Sequence, residues 1–305
     1  MKIYIVIRRL NLRDEKEMMD LIIGIAEKDE RIRAVYMNGS RTNPNVKKDI
    51  FQDYDIVFVV TETISFINDK NWINLFGETA IVQEPELNDV KIGISNEKHD
   101  FSRRYAWLML FKDGNRIDLG IEIKEEAQKN YLEDKLTVLL SDKDGFLPKI
   151  PPPTDIEYYV RKPDKDKYIA CCNEFWWCQN NVAKGIARDE LPYAMEMFNV
   201  YIRSMLNQMI DWYIGTLNNF SVNAGKMGKF YKKYLPVNLY DLYYKTYSDG
   251  NYKNIWDSIF TACKLFKLTA LDVGKYFNFE YNQNEENGVL EYLKWVKNMK
   301  TTEYC

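Results

Sequence analysis

The stretch from Asn38 to Val60 constrains the fold and the chemistry of this chain more than any other part of the sequence. It predicts the end of one strand, a tight polar loop and then a second strand. The second strand carries Asp53 and Asp55, whose side chains share one face because side chains alternate along an extended chain. The run that follows, residues 56–60, is β-branched and aromatic, which is typical of a buried central strand. Two adjacent carboxylates on a rigid strand are costly unless a cation neutralises them, so the pattern indicates a divalent metal ion.

The loop before the aspartates has the composition of an anion-binding loop. Gly39 and Ser40 follow a predicted strand over 31–37, and a glycine lets the backbone approach a ligand closely. Ser40 and the next amides can donate hydrogen bonds to a phosphate, with Arg41 as a nearby charge partner. The alternative is a surface loop whose aspartates are merely solvated. Three apolar residues around the aspartates argue against it, because they are expected to be buried: Phe51, Tyr54 and Ile56.

A third carboxylate comes from a predicted β-hairpin. Two apolar runs, 105–111 and 115–123, flank an Asp-Gly pair that favours a tight turn. In the second run apolar and polar residues alternate, so Asp118 and Glu122 share a face. If the apolar face meets the helices, both carboxylates lie over the same surface as the aspartate pair. The alternatives are an ion pair between Asp118 and Arg116, on the same face, and a purely structural Glu122.

Composition argues against several classes of protein. Five cysteines without a Cys-x-x-Cys pair, and one histidine, His99, disfavour a structural zinc site and a histidine-dependent hydrolase. A formal net charge of −3 disfavours a nucleic-acid backbone as partner and suits a small cationic substrate. No apolar run approaches the ~20 residues needed to cross a bilayer, and the N-terminus lacks the layout of a signal peptide. We expect a reduced cytoplasmic protein, a monomer or weak homodimer, without membrane or nucleic-acid partners.

The chain divides by composition into two parts. A proline-rich segment at 148–153 stops regular structure, and beyond it the sequence changes to long aromatic-rich helices. We expect a catalytic domain over 1–150, in which 1–12 form an N-terminal extension, then a linker over 151–163. An all-helical domain over 164–305 is expected to close the substrate cleft. The fold class is therefore α+β, with helices on one face of a mixed sheet, followed by a helical domain.

The expected elements of the first part are the strands named above, a strand at 78–82, helices at 14–27, 65–76 and 124–140, and a polar loop at 84–101. Trp72 and Leu75 are expected to face inward. The expected helices of the second part are 165–185, 190–216, 226–234, 238–244, 255–277 and 285–299.

Several longer runs resemble a known family. A Gly-Ser loop followed by Asp-x-Asp in a hydrophobic strand is the layout of the nucleotidyltransferase superfamily that includes DNA polymerase β. The family resemblance is carried by DERIRAVYMNGSRTNPN, DIFQDYDIVFVVTET, DGNRIDL, KDGFLP and CNEFWWCQNNVAKG. These runs look like the aminoglycoside 6-adenylyltransferases, the streptomycin-modifying enzymes, and the resemblance extends from Arg13 over nearly the whole chain. The divergent segment 84–104 leaves the identity of the acceptor open.

The resemblance implies a polymerase β-like domain that transfers AMP from ATP to a streptomycin hydroxyl, with magnesium and release of pyrophosphate, which confers antibiotic resistance. It places the metal pair on Asp53 and Asp55 and the third carboxylate on Asp118. The phosphate-binding loop would be Gly39, Ser40 and Arg41. Such chemistry commonly uses two Mg²⁺ ions, and sequence leaves open whether Asp118 or Glu122 accepts the hydroxyl proton.

The helical part offers further candidates. Lys184 and Lys226 could reach the triphosphate, although solvated surface lysines are the alternative. Glu174 and Trp176 could bind a guanidinium-bearing sugar, although a core tryptophan is the alternative. Two other functions remain open: nucleotidyl transfer to another acceptor, such as a lincosamide or a protein side chain, and a nucleotide-binding module without catalysis.

Overall fold

A computed structural model of the protein describes residues 12–93 and 99–299. The chain forms two compact units, Met1–Glu157 and Tyr158–Cys305. Their boundary falls within the segment 151–163 that the sequence predicts as a linker. Most of the predicted N-terminal extension and part of the predicted loop at 84–101 lie outside the described residues.

The first unit is built on one mixed sheet. Its strands are β1 Ile32–Asn38, β2 Tyr54–Val60, β3 Thr79–Gln83, β4 Arg104–Phe111, β5 Arg116–Ile123 and β6 Val138–Asp142. They lie in the order β3-β4-β5-β2-β1-β6. The central pair β2–β5 is parallel, and the other neighbouring strands are antiparallel. The predicted β-hairpin is confirmed as β4–β5, and the predicted neighbourhood of β5 and the aspartate-bearing strand is confirmed as well.

Helices cover the sheet unequally on its two faces. They are α1 Glu15–Lys28, α2 Ile64–Asn68, a 3₁₀ helix Trp72–Phe76, α3 Pro85–Lys91 and α4 Lys124–Asn130. The larger core lies on one face, where α1, α2 and the 3₁₀ helix pack on the apolar side chains of β2, β4 and β5. A smaller core on the other face includes Ala127 of α4 and the following Tyr131, beside Tyr36 of β1. The predicted mixed sheet is thus confirmed, and a short helix also reaches its second face.

One predicted helix is wrong in its second half. The pattern over 124–140 predicts a single helix, whereas α4 ends at Asn130 and β6 occupies Val138–Asp142. The reason is non-local, because β6 pairs antiparallel with β1 and covers what would otherwise be an open sheet edge. Helical periodicity in the sequence cannot show that a distant strand offers this pairing.

Three smaller predictions are also corrected. The helix predicted over 65–76 is two short pieces, in which Trp72 is buried and Leu75 is 56 % exposed. The loop predicted over 84–101 contains α3, which has proline at its first turn, where the missing N–H leaves no bond unmade. Phe51 is 85 % exposed, so its predicted burial is wrong, while the predicted burial of Tyr54 and Ile56 is confirmed.

The second unit is helical. It contains α5 Lys165–Ala187, α6 Leu191–Glu196, a π-helix Met197–Ile202, α7 Arg203–Leu217, a 3₁₀ helix Lys226–Gly228, α8 Tyr231–Tyr234, α9 Val237–Tyr244, α10 Tyr252–Phe277 and α11 Gln283–Asn298. Its core is aromatic, and Phe175 of α5 stacks on Phe266 of α10 with ring centroids 3.7 Å apart. This arrangement confirms the predicted fold class. In the part of the chain that the structure describes, no helix is both long and apolar enough to span a bilayer.

Replacing Trp72 should test the corrected packing of the first unit. Trp72 contacts Phe66 and Phe76 edge to face. Trp72→Ala should therefore lower the free energy of unfolding by about 3–5 kcal/mol, because it leaves a cavity in the core. Leu75→Ala, three residues away and exposed, is the matched control and should change it by no more than about 0.5 kcal/mol. Urea unfolding measures both, and equal losses would contradict the packing described above.

Candidate active site

Three carboxylates converge at one end of the central strands. Asp55 of β2 lies directly opposite Asp118 of the parallel strand β5, and on its other side it lies opposite Asn38 of β1. Asp53 immediately precedes β2 and shares the side of Asp55, two residues away. The predicted convergence of Asp118 with the Asp-x-Asp pair is therefore present in the first unit. The register across three adjacent strands holds these groups on a rigid base.

The loop after β1 packs directly against this cluster. Gly39 has a φ of +78°, and a Cβ atom at this position would lie 2.1 Å from Oδ2 of Asp55. Glycine is therefore favoured here both by the left-handed backbone and by the close approach of the carboxylate. The loop is held in place by Thr42, whose hydroxyl donates to the carbonyl oxygens of Gly39 and Leu136 at 2.9 Å each. Ser40 follows Gly39 at the same end of the central strands.

Arg41 connects the loop to the backbone that leads into β2. Its side chain is buried, and its guanidinium donates to the carbonyl oxygens of Gln52 at 2.6 Å and Asp53 at 3.3 Å. It also stacks over the ring of Tyr54, with the guanidinium carbon 3.8 Å from the centroid. The sequence suggests a charge partner for a phosphate, whereas in the structure Arg41 fixes the backbone that carries the first aspartate.

Arg116 is the cation in direct contact with the cluster. Its Nε and Nη2 donate to the two carboxylate oxygens of Asp118, both at 2.7 Å. Its Nη1 lies 3.4 Å from Oδ2 of Asp53. The ion pair that the sequence offered as an alternative for Asp118 is thus present, together with the predicted carboxylate cluster. The sequence signal for it is the Arg-x-Asp spacing on one strand, which puts both side chains on the same face.

The pKa values of the aspartates show that their negative charge is incompletely neutralised. Burial raises the pKa of the Asp55 carboxyl to about 6, and repulsion from Asp118 and Asp53 adds to the rise. Burial is also the main cause that raises the pKa of Asp53, although Arg116 opposes it. A carboxylate whose ionised form is disfavoured in this way is stabilised by a cation that enters the cluster.

The donor set suits a hard divalent cation. Carboxylate oxygens are the ligands that Mg²⁺ prefers, and two neighbouring strands supply them here. Among residues 12–93 and 99–299, no three acidic, cysteine or histidine side chains are already arranged as a metal-binding group. Both oxygens of Asp118 instead accept hydrogen bonds from the guanidinium of Arg116.

Glu122 is not available to a substrate, so this prediction is wrong. Its side chain is buried, and its two oxygens accept hydrogen bonds from the hydroxyl of Tyr36 and the amide of Asn130, both at 2.6 Å. It also lies four residues along β5 from Asp118, a separation of about 13 Å. Glu122 therefore joins three elements of the fold and is unsuited to act as the base.

The remaining candidates lie in the second unit. Lys184 is half-buried in α5, and Lys226 is exposed in a short 3₁₀ helix. Glu174 is exposed on α5. Trp176 is only 1 % exposed and belongs to the aromatic core, so its predicted contact with substrate is wrong, whereas Trp177 is 67 % exposed. Lys184, Lys226 and Glu174 stay predictions.

A comparison of two glycines should isolate the contact between the loop and Asp55. Gly39 and Gly145 both have left-handed backbones, but a Cβ at Gly145 would meet no atom within 4 Å. Gly145→Ala should cost about 1–2 kcal/mol of stability from backbone strain alone. Gly39→Ala should cost clearly more, because Asp55 must also move. Urea unfolding measures both, and equal costs would contradict the close packing at Gly39.

The raised pKa of Asp55 predicts a pH dependence of stability in chelator-treated protein. The unfolded pKa is near the ordinary 3.8 and the folded pKa about 6, so the folded state binds more protons between these values. Stability should therefore fall as the pH rises through this window. Asp55→Asn removes the effect and should be more stable than the wild type at pH 7, by up to about 3 kcal/mol.

Urea unfolding at a series of pH values measures this difference. The gain of Asp55→Asn should shrink to about 0.5 kcal/mol near pH 4 and vanish only below about pH 3, where the wild-type carboxyl is largely protonated in both states. Asp20→Asn is the matched control, because Asp20 is an exposed carboxylate on α1. Its stability should follow the wild-type pH profile. An Asp55→Asn gain that is the same at pH 4 and pH 7 would contradict the burial of this charge.

Comparisons with known proteins identify the family of the chain. The profile of the family described as streptomycin adenylyltransferase matches residues 12–296. An aminoglycoside 6-adenylyltransferase of Campylobacter jejuni is 38 % identical over 275 residues, which cover 90 % of this chain and 93 % of the relative. One of Bacillus subtilis (strain 168) is 35 % identical over 286 residues, which cover 93 % of this chain and 98 % of the relative.

A solved structure is also similar in sequence. The crystal structure of an aminoglycoside 6-adenyltransferase from Bacillus subtilis shares 30 % identity, covers 94 % of this chain and all of its own, and superposes with a TM-score of 0.46. The family profile spans both units, and the two curated relatives match over nearly their whole length. The chain therefore belongs to the streptomycin adenylyltransferase family of nucleotidyltransferase enzymes.

Proposed function

We propose that this protein transfers AMP from ATP to a hydroxyl of a streptomycin-like aminoglycoside, in a Mg²⁺-dependent reaction that releases pyrophosphate. The observation that carries the proposal is the register that brings Asp118 beside Asp55, next to a glycine loop. The names of its relatives, aminoglycoside 6-adenylyltransferases, support the class of acceptor. Such a reaction would inactivate the antibiotic and confer resistance.

Asp53 and Asp55 would hold the metal ions, and Asp118 would complete the site. When bound, Mg²⁺ neutralises charge on the triphosphate and makes the attacking hydroxyl easier to deprotonate. The raised pKa values of Asp53 and Asp55 support this role, since a bound cation relieves the cost of their ionisation. Nucleotidyl transfer with two such ions accounts for the presence of three carboxylates.

The chain's own residues orient the reactants. The loop at Gly39 and Ser40 offers backbone N–H groups for the phosphates, and the absence of a side chain at Gly39 lets that backbone lie against Asp55. Asp118 is the candidate to accept the proton of the attacking hydroxyl, because it lies on the adjacent strand at the same level as Asp55. Its rigid position on β5 favours a short, directed proton transfer.

The helical unit is proposed to contribute to substrate binding. The half-buried Lys184 and the exposed Lys226 suit the triphosphate. The exposed Glu174 and Trp177 suit a guanidinium-bearing sugar, through an ion pair and a flat aromatic surface. The formal net charge of −3 also favours a cationic acceptor. We place the reaction in the cytoplasm, where ATP is available and the four described cysteines, which are free thiols, stay reduced.

Other acceptors are the main alternative. A lincosamide or a protein side chain would use the same carboxylates and the same nucleotide, and the divergent segment 84–104 is where an acceptor preference could differ. A nucleotide-binding module without catalysis fits less well, because binding alone does not require three carboxylates that repel one another.

A transfer assay with ATP labelled on its α-phosphate should identify the acceptor. Label should move to streptomycin and not to lincomycin or to added protein. Chelation of metal should abolish the transfer, and added Mg²⁺ should restore it. Label on a lincosamide or on protein, with none on streptomycin, would replace the proposed acceptor while leaving the reaction type in place.

Substitution of the carboxylates should separate catalysis from folding. Asp55→Asn and Asp118→Asn should each lower kcat/KM by at least about 100-fold, because the metal-bound transition state loses a ligand. Circular dichroism should show the same fold in both variants. Asp20→Asn, the exposed control on α1, should keep wild-type activity. Unchanged turnover in Asp55→Asn would contradict the metal assignment.

A further inference from the structure

Arg116 contacts two of the three carboxylates at once. It lies at the start of β5, two residues before Asp118 and on the same face. Its guanidinium occupies both oxygens of Asp118 at 2.7 Å and reaches Asp53 at 3.4 Å. One guanidinium therefore bridges the end of the loop before β2 and the start of β5.

These contacts use the groups that a metal ion would need. A divalent cation that enters the cluster meets a positive charge already bound to Asp118, and like charges repel at this distance. Asp55, between the other two carboxylates, forms no ion pair within the described residues. Arg116 thus holds the cluster together, but it is a cation that must give way before a metal ion can bind all three carboxylates.

A released guanidinium has an obvious alternative partner. Its planar fork matches two phosphate oxygens as well as it matches a carboxylate. The side chain of Arg116 is 42 % exposed, so it can rotate away from Asp118 without opening the core. Arg116 lies at the same end of the central strands as the glycine loop that is proposed to bind phosphate.

We propose that Arg116 is a positioning residue that exchanges Asp118 for the phosphates of the nucleotide when metal binds. The inference rests on the proposed function, because it needs a metal ion and a triphosphate at the carboxylate cluster. It goes beyond that function in assigning Arg116 a role in the coupling between metal binding and nucleotide binding. Metal and nucleotide then favour each other's binding. The metal displaces the guanidinium from Asp118 and so frees it for the phosphates, and the phosphates hold the guanidinium and so free Asp118 for the metal.

Metal-binding measurements can test this without turnover. The full-length protein is treated with chelator and titrated with Mn²⁺, and free Mn²⁺ is followed by electron paramagnetic resonance. Each titration is done with and without a non-hydrolysable α,β-methylene analogue of ATP. The ratio of the two Mn²⁺ dissociation constants is the coupling between metal and nucleotide.

Three variants distinguish the parts of the proposal. Arg116→Gln should bind Mn²⁺ alone about fivefold more tightly than the wild type, the effect of removing a partly exposed charge contact. Its coupling to the analogue should be weaker than that of the wild type, leaving only the part that comes from direct attraction between metal and triphosphate. Arg116→Lys keeps the charge without the fork, so it should bind Mn²⁺ alone like the wild type and show reduced coupling. Arg104→Gln, which removes an exposed arginine from neighbouring β4, should match the wild type in both measurements.

The possible outcomes separate this inference from the proposed function. If Arg116→Gln binds Mn²⁺ no more tightly than the wild type, the inference is overturned while the metal site stands. If Arg116→Lys shows the same coupling as the wild type, the guanidinium does not move from Asp118 to the phosphates, and this part of the proposal is overturned. That result is decisive even if the glutamine variant fails to fold. A wild-type protein that binds no Mn²⁺ with the analogue present overturns the metal site itself, and the inference with it.

Discussion

The parallel pairing of β2 with β5 is the interaction on which the rest of the first unit depends. In an otherwise antiparallel sheet, it is the one described pairing that makes Asp55 and Asp118 point from neighbouring strands at the same level. Parallel strands need a long connection, and here residues 61–115 supply two helices, a 3₁₀ helix and two further strands before the chain returns. The same connection covers the larger core, so the segment that creates the register also stabilises the sheet beneath it.

The carboxylate cluster lowers the stability of the folded state. Burial and repulsion raise the pKa of Asp55 to about 6, so holding it ionised at neutral pH costs the folded state free energy. The surrounding structure offsets this cost locally: Arg116 bridges two of the carboxylates, and Arg41 fixes the backbone before β2. Below them Glu122 ties β5 to β1 and α4 through two buried hydrogen bonds. The polar groups of this region thus divide into carboxylates whose ionisation costs free energy and groups whose hydrogen bonds stabilise the fold.

Sequence patterns predicted what local chemistry determines and failed where a distant partner decides. Alternation along 115–123 identified the face of Asp118, and the Asp-Gly pair identified the hairpin, because both depend on neighbours in the chain. Glu122 has the same alternation as Asp118, and it becomes a buried structural group only through partners from other elements, the hydroxyl of Tyr36 and the amide of Asn130. Likewise the strand β6 forms because β1 presents a free edge, and Trp176 is distinguished from Trp177 only by the helices packed around it.

The contact between Gly39 and Asp55 makes the residue allowed at position 39 depend on the side chain at position 55. A methyl group at position 39 would occupy the space of a carboxylate oxygen of residue 55, so the loop and the strand cannot change independently. A larger residue at position 39 requires the Asp55 carboxylate to leave its place opposite Asp118. A change in the loop is therefore also a change in the geometry of the acidic cluster, although the two positions are far from adjacent in the chain.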